Sequence, residues 1–454
     1  MQSQFQDIPV IGIRQRRKLG INPSWKVTVA TTVFWLLVTG SLWLITTFLV
    51  ITLVPLAFLF TFPVVALALI VLALTFPQLI HIYFADPADA KGLIPVTTIR
   101  RCFQIDLSVI QIANEVVGVG KRIARDILVR RVRQVHYHKS ILNVKCGRSG
   151  PMLDIYVPLD PQTGTTGVLS PVIIFIPPQI RPFVTRKLVF SSLGANLAES
   201  TGAAVIIPDL TNYPEGRVKE QVEEIRCLLN WTNTNIHQYG GDPLRIILAG
   251  LGIGGLLALL VPLQAAIVKS RDIFVNSHSE KGLEDLPAGV KEVKEYGGDY
   301  QFPRIEGLIL ISPITNVDEQ LAEEASRGMQ HLSMTKRVLG PDERTCYFHS
   351  PAHLLYAARN IIRVDMLPQK ILFLHGGLDR YITHKQSETM KEILRGVGVQ
   401  DTVVKVYKSG HWGTALPLLC DMQGSPIVDE VYNFLWSDDF STIHAESISV
   451  VLPS

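Results

Sequence analysis

From Val27 to Ile80 the chain contains no Asp, Glu, Lys, Arg or His. So long an uncharged run excludes a solvated surface segment, and it exceeds the apolar core of a cleaved signal peptide. One membrane span takes about 20 apolar residues, so the run suits two, over about 27–52 and 57–80, with Pro55 and Pro63 near the expected turn. Cysteine is scarce as well. Cys102, Cys146, Cys227, Cys346 and Cys420 are far apart, odd in number and without a C-x-x-C pair. That argues against a disulfide framework or a zinc site and for reduced thiols in a cytosolic setting. Internal repeats and low-complexity tracts are missing too. The formal net charge of +3 gives no case for nucleic-acid binding, because the basic residues gather beside the apolar run.

Arg14, Arg16, Arg17 and Lys18 precede that run, within a basic tail over residues 1–26. Behind it, residues 91–149 hold 12 Lys or Arg against Asp106, Glu115 and Asp126, a net of +9. Basic flanks stay on the cytoplasmic side, so both ends are expected there, joined by a hairpin over residues 27–84. Either two full spans or a re-entrant hairpin in one leaflet satisfies these charges. Residues 85–135 form a basic juxtamembrane region with a helix over 104–135. Its Ile105, Val109, Ile112, Val116, Val119, Ile123 and Ile127 share one face. Lys121, Arg122, Arg125, Arg130, Arg131 and Arg133 load its second half. A helix lying on an anionic membrane and a helix packed on the rest of the protein are both consistent with this pattern.

From residue 136 short apolar runs alternate with helical periodicity. Strands are predicted at His138–Cys146, Met152–Pro158, Pro171–Ile176, Ala203–Pro208, Arg245–Ala249, Ile305–Ile311, Lys370–Leu374 and Thr402–Tyr407. Helices are expected around Val222–Leu229 and over 252–268, 384–396 and 425–436. The alternation predicts an α/β fold with a doubly wound, mostly parallel sheet over 136–454. Residues 269–303 are expected to be a polar surface insertion, and 315–366 a helical lid.

The central absence is a single side chain. Leu248-Ala249-Gly250-Leu251-Gly252-Ile253-Gly254-Gly255 reads as a strand, a tight turn and a helix, the setting of the G-x-S-x-G nucleophile elbow. Gly252 stands where that motif carries serine. Asp379, in Leu374-His375-Gly376-Gly377-Leu378-Asp379, follows a later strand, and His411, in Ser409-Gly410-His411-Trp412-Gly413, follows the next one. Elbow, acid and histidine in this order suit a triad in which the imidazole takes the nucleophile's proton and the carboxylate stabilises the imidazolium.

Tyr239-Gly240-Gly241-Asp242-Pro243-Leu244-Arg245-Ile246 resembles the lead-in to the elbow of isoprenylcysteine methylesterases and hormone-sensitive-lipase-like carboxylesterases, a branch of the α/β-hydrolase superfamily. Asn212-Tyr213-Pro214-Glu215-Gly216 resembles a further methylesterase segment. The similarity runs over about residues 160–437. It implies an α/β-hydrolase fold, an endomembrane location (the endoplasmic reticulum or a lipid-droplet surface), and carboxylic-ester chemistry on a lipid or prenylated ligand. The departures fall on the reagents. The family serine aligns with Gly252. The family's Gly-rich oxyanion loop aligns with Phe175-Ile176-Pro177-Pro178-Gln179, where Pro178 has no N–H to donate. Ile253 and Gln179 remain as candidate oxyanion donors.

Three readings follow. In the first, the protein is a pseudo-hydrolase that binds a lipid or a protein partner. In the second, it is a carboxylic-ester hydrolase using Asp379 and His411 with an unconventional nucleophile. In the third, it is a structural membrane hairpin carrying a globular cargo. No cofactor and no metal is expected. His136 and His138 lack further ligands, and Gly250-Leu251-Gly252-Ile253-Gly254-Gly255 departs from the dinucleotide fingerprint. The sequence leaves oligomeric state open.

Overall fold

The computed structural model describes residues 23–53, 58–84, 99–133, 138–147, 150–159, 169–178, 186–278, 286–296, 302–340, 342–420 and 424–437. Two compact units divide between Ser108 and Val109.

In the first unit, α1 (Pro23–Leu53) and α2 (Phe58–Phe84) contact one another. Both are apolar on all sides. Phe34, Trp35, Leu42, Phe48, Phe62 and Leu67 lie open to the surroundings. Val29–Leu49 and Thr61–Leu79 are each long and apolar enough to cross a membrane. Pro55 lies outside the described residues, and Pro63 lies inside α2 rather than at the turn.

The second unit is built on eight strands: β1 (His138–Lys145), β2 (Met152–Pro158), β3 (Ser170–Ile176), β4 (Ala204–Asp209), β5 (Gly241–Leu251), β6 (Ile305–Ile311), β7 (Lys370–Gly376) and β8 (Asp401–Tyr407). Their order across the sheet is β1-β2-β4-β3-β5-β6-β7-β8. The β1–β2 and β2–β4 pairs are antiparallel and every later pair is parallel. The central parallel strands are nearly continuous apolar runs because both faces are covered, whereas the edge strand β8 mixes polar and apolar residues. Along β3, Val172, Ile174 and Ile176 enter one core cluster while Ile173 and Phe175 enter the other, as alternation on a pleat requires.

Against the first face lie α5 (Val218–Asn235), α6 (Ile253–His278) and α12 (Lys385–Val397). Between α5 and α12 the described residues also contain α7 (Ala288–Lys291), α8 (Val317–Ser326), α9 (Met334–Leu339), α10 (Glu343–Phe348) and α11 (Pro351–Ala358). Against the second face lie α4 (Arg186–Thr201), α13 (His411–Leu419) and α14 (Pro426–Trp436). The expected insertion at 269–303 is partly a continuation of α6, which runs to His278. The expected lid region holds the four short helices α8 to α11.

The long helix α3 (Ile99–Arg133) crosses the division between the units. The sheet-bearing unit therefore begins within α3 rather than at residue 136. The physical reason lies in the helix's second half: Ile123 is buried in the second core cluster and Val119 packs against it. Val116, expected on the inward face, is 39% exposed. Glu115 is half-buried beside it, on the stripe that continues to Val119 and Ile123.

Candidate active site

Parallel strands deliver their C-terminal ends to one edge of the sheet, where ligands bind in open α/β folds. Here β5, β7 and β8 each end beside a residue singled out by the sequence. Gly252 links β5 directly to α6 at φ 59°, a left-handed conformation that glycine adopts without strain. Its N–H donates to the Ile311 carbonyl at 3.0 Å, and its own carbonyl accepts from Leu256 at 3.0 Å and from Ile314 at 3.4 Å. The turn is thereby tied to the end of β6.

The neighbouring glycines answer to close packing. A Cβ on Gly250 would run into the Gly254 carbonyl, and one on Gly254 into the Ile176 carbonyl at the end of β3. A Cβ on Gly255 would lie 2.9 Å from Pro313 Cβ. Gly252 differs from all three. A Cβ there would make ordinary contact, 3.4 Å from His411 Nε2 and 4.0 Å from Ile382 Cδ1.

His411 is the first residue of α13 rather than a loop residue, and it is buried. Its Nδ1 lies 2.7 Å from Asp379 Oδ2. This arrangement assigns the proton to Nδ1 and leaves Nε2 as an acceptor facing Gly252. The Asp379 side chain is completely enclosed. Its Oδ1 accepts the N–H groups of Tyr381 at 2.7 Å and Ile382 at 3.0 Å. His375 stands behind it, with Nε2 3.6 Å from Oδ2. His375 Nε2 also donates to the Ile382 carbonyl at 3.0 Å, and its Nδ1 accepts from the Ser387 hydroxyl at 2.7 Å. Burial alone would raise the Asp379 pKa. The electrostatic pull and hydrogen bond of His411, the nearby His375 Nε2–H and the Ile382 N–H outweigh it and hold the carboxyl far below the usual carboxylate range. The carboxylate is thus built to stay ionised and to orient an imidazole.

Of the two candidate oxyanion donors, Ile253 opens α6, so its N–H belongs to the first turn, whose donors have no intrahelical partner. Gln179 lies outside the described residues. Pro178 is buried at the end of β3, in register with β5, where Ile176 pairs with Gly250. It presents no donor to that end of the sheet.

Three residues at this edge escaped the sequence reading. The Tyr381 ring lies against His411, centroids 5.2 Å apart. Its hydroxyl is enclosed near Glu115 without a well-aligned hydrogen bond, and burial first, then the Glu115 charge, push its ionisation up. Glu115 itself reaches over from α3, where its Oε1 accepts the Trp412 N–H at 3.1 Å. The signal for it was present: an acid on the apolar stripe of an otherwise basic helix. Ser312, just beyond β6, is fully buried with φ 42° and a hydroxyl that has no hydrogen-bond partner. Nothing in the sequence pattern marked it.

Among the described residues no group of three or more His, Cys, Asp or Glu side chains is arranged to hold a metal ion. His136 lies outside them.

Residues 189–412 match the family model for the alpha/beta hydrolase fold. That stretch contains Gly252, Asp379 and His411. A probable isoprenylcysteine alpha-carbonyl methylesterase of Arabidopsis thaliana is 24% identical over 299 residues, which is 65% of this chain and 63% of that protein. A second Arabidopsis thaliana protein, an isoprenylcysteine alpha-carbonyl methylesterase, is 28% identical over 65% of this chain and 59% of its own length. The match thus spans less than two thirds of these relatives. Among solved structures, esterase B of Lactobacillus rhamnosis superposes with a TM-score of 0.50 at 15% identity, over 77% of this chain and 98% of that one. At that identity the likeness concerns the fold alone.

Proposed function

Because the chain is a member of the α/β-hydrolase superfamily, we propose that it is a membrane-anchored pseudo-hydrolase that binds an ester-bearing lipid or prenylated ligand without turning it over. The observation that carries this reading is the space at Gly252. His411 Nε2 faces a position with room for a side chain and none present. Loss of a triad nucleophile costs on the order of 10⁶ in turnover. Pro178 adds a second deficit, since one missing oxyanion donor costs about 2.7–4 kcal/mol of transition-state stabilisation. The prenylated ligand class is suggested by the named methylesterases and by the apolar α1–α2 pair.

In this reading α1 and α2 hold the protein in an endomembrane, at the endoplasmic reticulum or a lipid-droplet surface, and both termini face the cytosol. The outer side of α3 supports the same picture. Ile110, Val117 and Leu128 are exposed there, beside exposed Lys121, Arg122 and Arg125. Apolar residues flanked by cations suit an anionic lipid surface.

The test is hydrolysis of short and prenylated esters by the full chain, native and His411→Ala. The expected result is no turnover above the His411→Ala control, together with saturable binding of a prenylcysteine methyl ester. Native turnover that disappears in His411→Ala would overturn the reading. It would favour instead an enzyme with an unconventional nucleophile, a reading supported by the intact Asp379–His411 pair. A Ser312→Ala variant would then separate an activated water from that buried hydroxyl. Accessibility of tags at both termini to protease added outside sealed microsomes tests the orientation. Protection of either tag would count against it.

A further inference from the structure

We propose that Glu115 is a positioning residue for His411, which makes α3 a working part of the site as well as a membrane-proximal element. The proposal rests on reading Asp379 and His411 as an intact acid–base pair.

Three observations converge on one carboxylate. First, Glu115 Oε1 accepts the backbone N–H of Trp412, the residue that follows His411 in the first turn of α13. A carboxylate at that place satisfies a first-turn donor and meets the positive end of the helix dipole. Gly410, the N-cap of α13, has no side chain to accept a first-turn N–H, so an acceptor from another element does the work a cap usually does. Second, the contact is close. A Cβ on Gly410 would lie 3.0 Å from Glu115 Oε1, so the carboxylate sits against the residue that leads into His411. Third, Glu115 borders Tyr381, whose ring lies against His411. The imidazole is thus held by Asp379 through Nδ1, by Tyr381 across its ring, and by Glu115 through the backbone of the next residue.

The carboxylate is itself fixed. Val119 and Ile123, one and two turns further along α3, pack into the same core cluster as Trp412, Ala415 and Leu416 of α13. A force that moves this part of α3 therefore moves the acceptor for Trp412. A helix whose opposite side exposes Ile110, Val117 and Lys121 is well placed to transmit such a force from a lipid surface to the imidazole. The titratable groups facing His411 among the described residues are Asp379 and Tyr381, with His375 behind the carboxylate and Glu115 behind the α13 backbone.

The experiment needs a reporter at the imidazole that does not depend on ester turnover. Gly252→Cys supplies one in the full chain, since a side chain at 252 points at His411 Nε2. Alkylation of the introduced thiol by iodoacetamide is followed against pH, in parallel with His411→Ala. An imidazole in place gives a thiolate whose half-point lies well below the free-cysteine value of about 8.5, and His411→Ala abolishes that shift. Adding Glu115→Ala is expected to move the half-point up by about one pH unit, roughly tenfold less thiolate at low pH. Glu115→Gln keeps an oxygen for the Trp412 N–H and is expected to restore the original profile. Gly410→Ala crowds the carboxylate from the other side without altering α3, and is expected to shift the profile in the same direction as Glu115→Ala. It covers the case in which Glu115→Ala does not fold. An unchanged profile in both Glu115→Ala and Gly410→Ala overturns the role of Glu115 alone. A parent profile indifferent to His411→Ala overturns the acid–base pair, and this proposal with it.

Discussion

At one edge of the same sheet, the ends of β7 and β8 and the end of β5 have fared differently. The first two hold a hydrogen-bonded imidazole and carboxylate, enclosed and supported by His375, Ser387 and two backbone N–H groups. The β5 end holds the backbone of a nucleophile elbow with no side chain at its apex. The contrast separates residues kept for packing from residues kept for chemistry. Gly250, Gly254 and Gly255 stay glycine because backbone or Pro313 atoms fill the space a Cβ would take. No such constraint acts on residue 252. Asp379 is constrained in another way: its carboxylate organises the chain from Tyr381 to Ile382, so its loss would disturb the fold whether or not it serves catalysis.

Gly252→Ser tests the comparison with the largest effect. Restoring a nucleophile recovers part of a factor on the order of 10⁶, and the Pro178 deficit takes back roughly 10²–10³. A rise in ester turnover of about 10³-fold is expected, and Gly252→Ser combined with His411→Ala should cancel it. Turnover that stays flat in a folded Gly252→Ser protein would mean that the two ends of the site no longer face each other productively.

The elbow glycines give the next test, read by chemical denaturation. Gly254→Ala forces a carbonyl to move and is expected to cost about 3 kcal/mol or more. Gly252→Ala meets only ordinary contacts and should cost about 1–2 kcal/mol, the penalty of a left-handed backbone. Equal losses would erase the distinction between packing and chemistry drawn above.

A smaller effect concerns acid. The folded Asp379 carboxyl ionises far below its unfolded value, so its contribution to stability is complete above about pH 4. That contribution is lost as pH falls toward the depressed folded value. Asp379→Asn is expected to be less stable by about 1–3 kcal/mol at neutral pH and to lose less stability on acidification than the native chain. Parallel acid-unfolding curves for the two proteins would show that the carboxylate is not the anchor described here.

How much of this was legible in the sequence depends on whether a residue's role is local. The central strands β3, β4, β6 and β7 and the second half of β5 were, because a segment buried on both faces is nearly apolar throughout, and β2 and β8 followed from their shorter apolar runs. Their boundaries moved by a few residues at most, apart from the early start of β5 at Gly241. The elbow, acid and histidine were legible because a motif fixes them by spacing and order. The helices α4 and α13 were not. Arg186–Thr201 mixes small, polar and large apolar residues with almost no amphipathic pattern. Its burial comes from α13, α14 and the sheet, which are distant in sequence. His411 read as a loop residue because Gly410 and Gly413 flank it, yet it starts a helix. Glu115 was counted as one charge among many, although it sits at the spacing of Ile112, Val119 and Ile123. The partner that gives it meaning is 297 positions away.

The elbow helix α6 has a consequence for how the protein is made. Its Ile253–Ser277 segment is long and apolar enough to cross a bilayer, as α1 is, yet most of it, from Gly254 to Ile267, is buried among other parts of the fold. Were such a chain to emerge from the ribosome beside a membrane, lipid and sheet would compete for this segment, since β6, one of the strands that complete its cover, is synthesised only afterwards. The helix also carries polar groups that lipid would penalise. Gln264 is buried and reaches the Phe348 carbonyl at 3.5 Å, and the Ser270 hydroxyl accepts the Arg363 N–H at 3.0 Å. These side chains find partners in the folded domain and none in hydrocarbon. They disfavour lipid for a segment whose hydropathy, among the described helices, is exceeded only by α1 and α2.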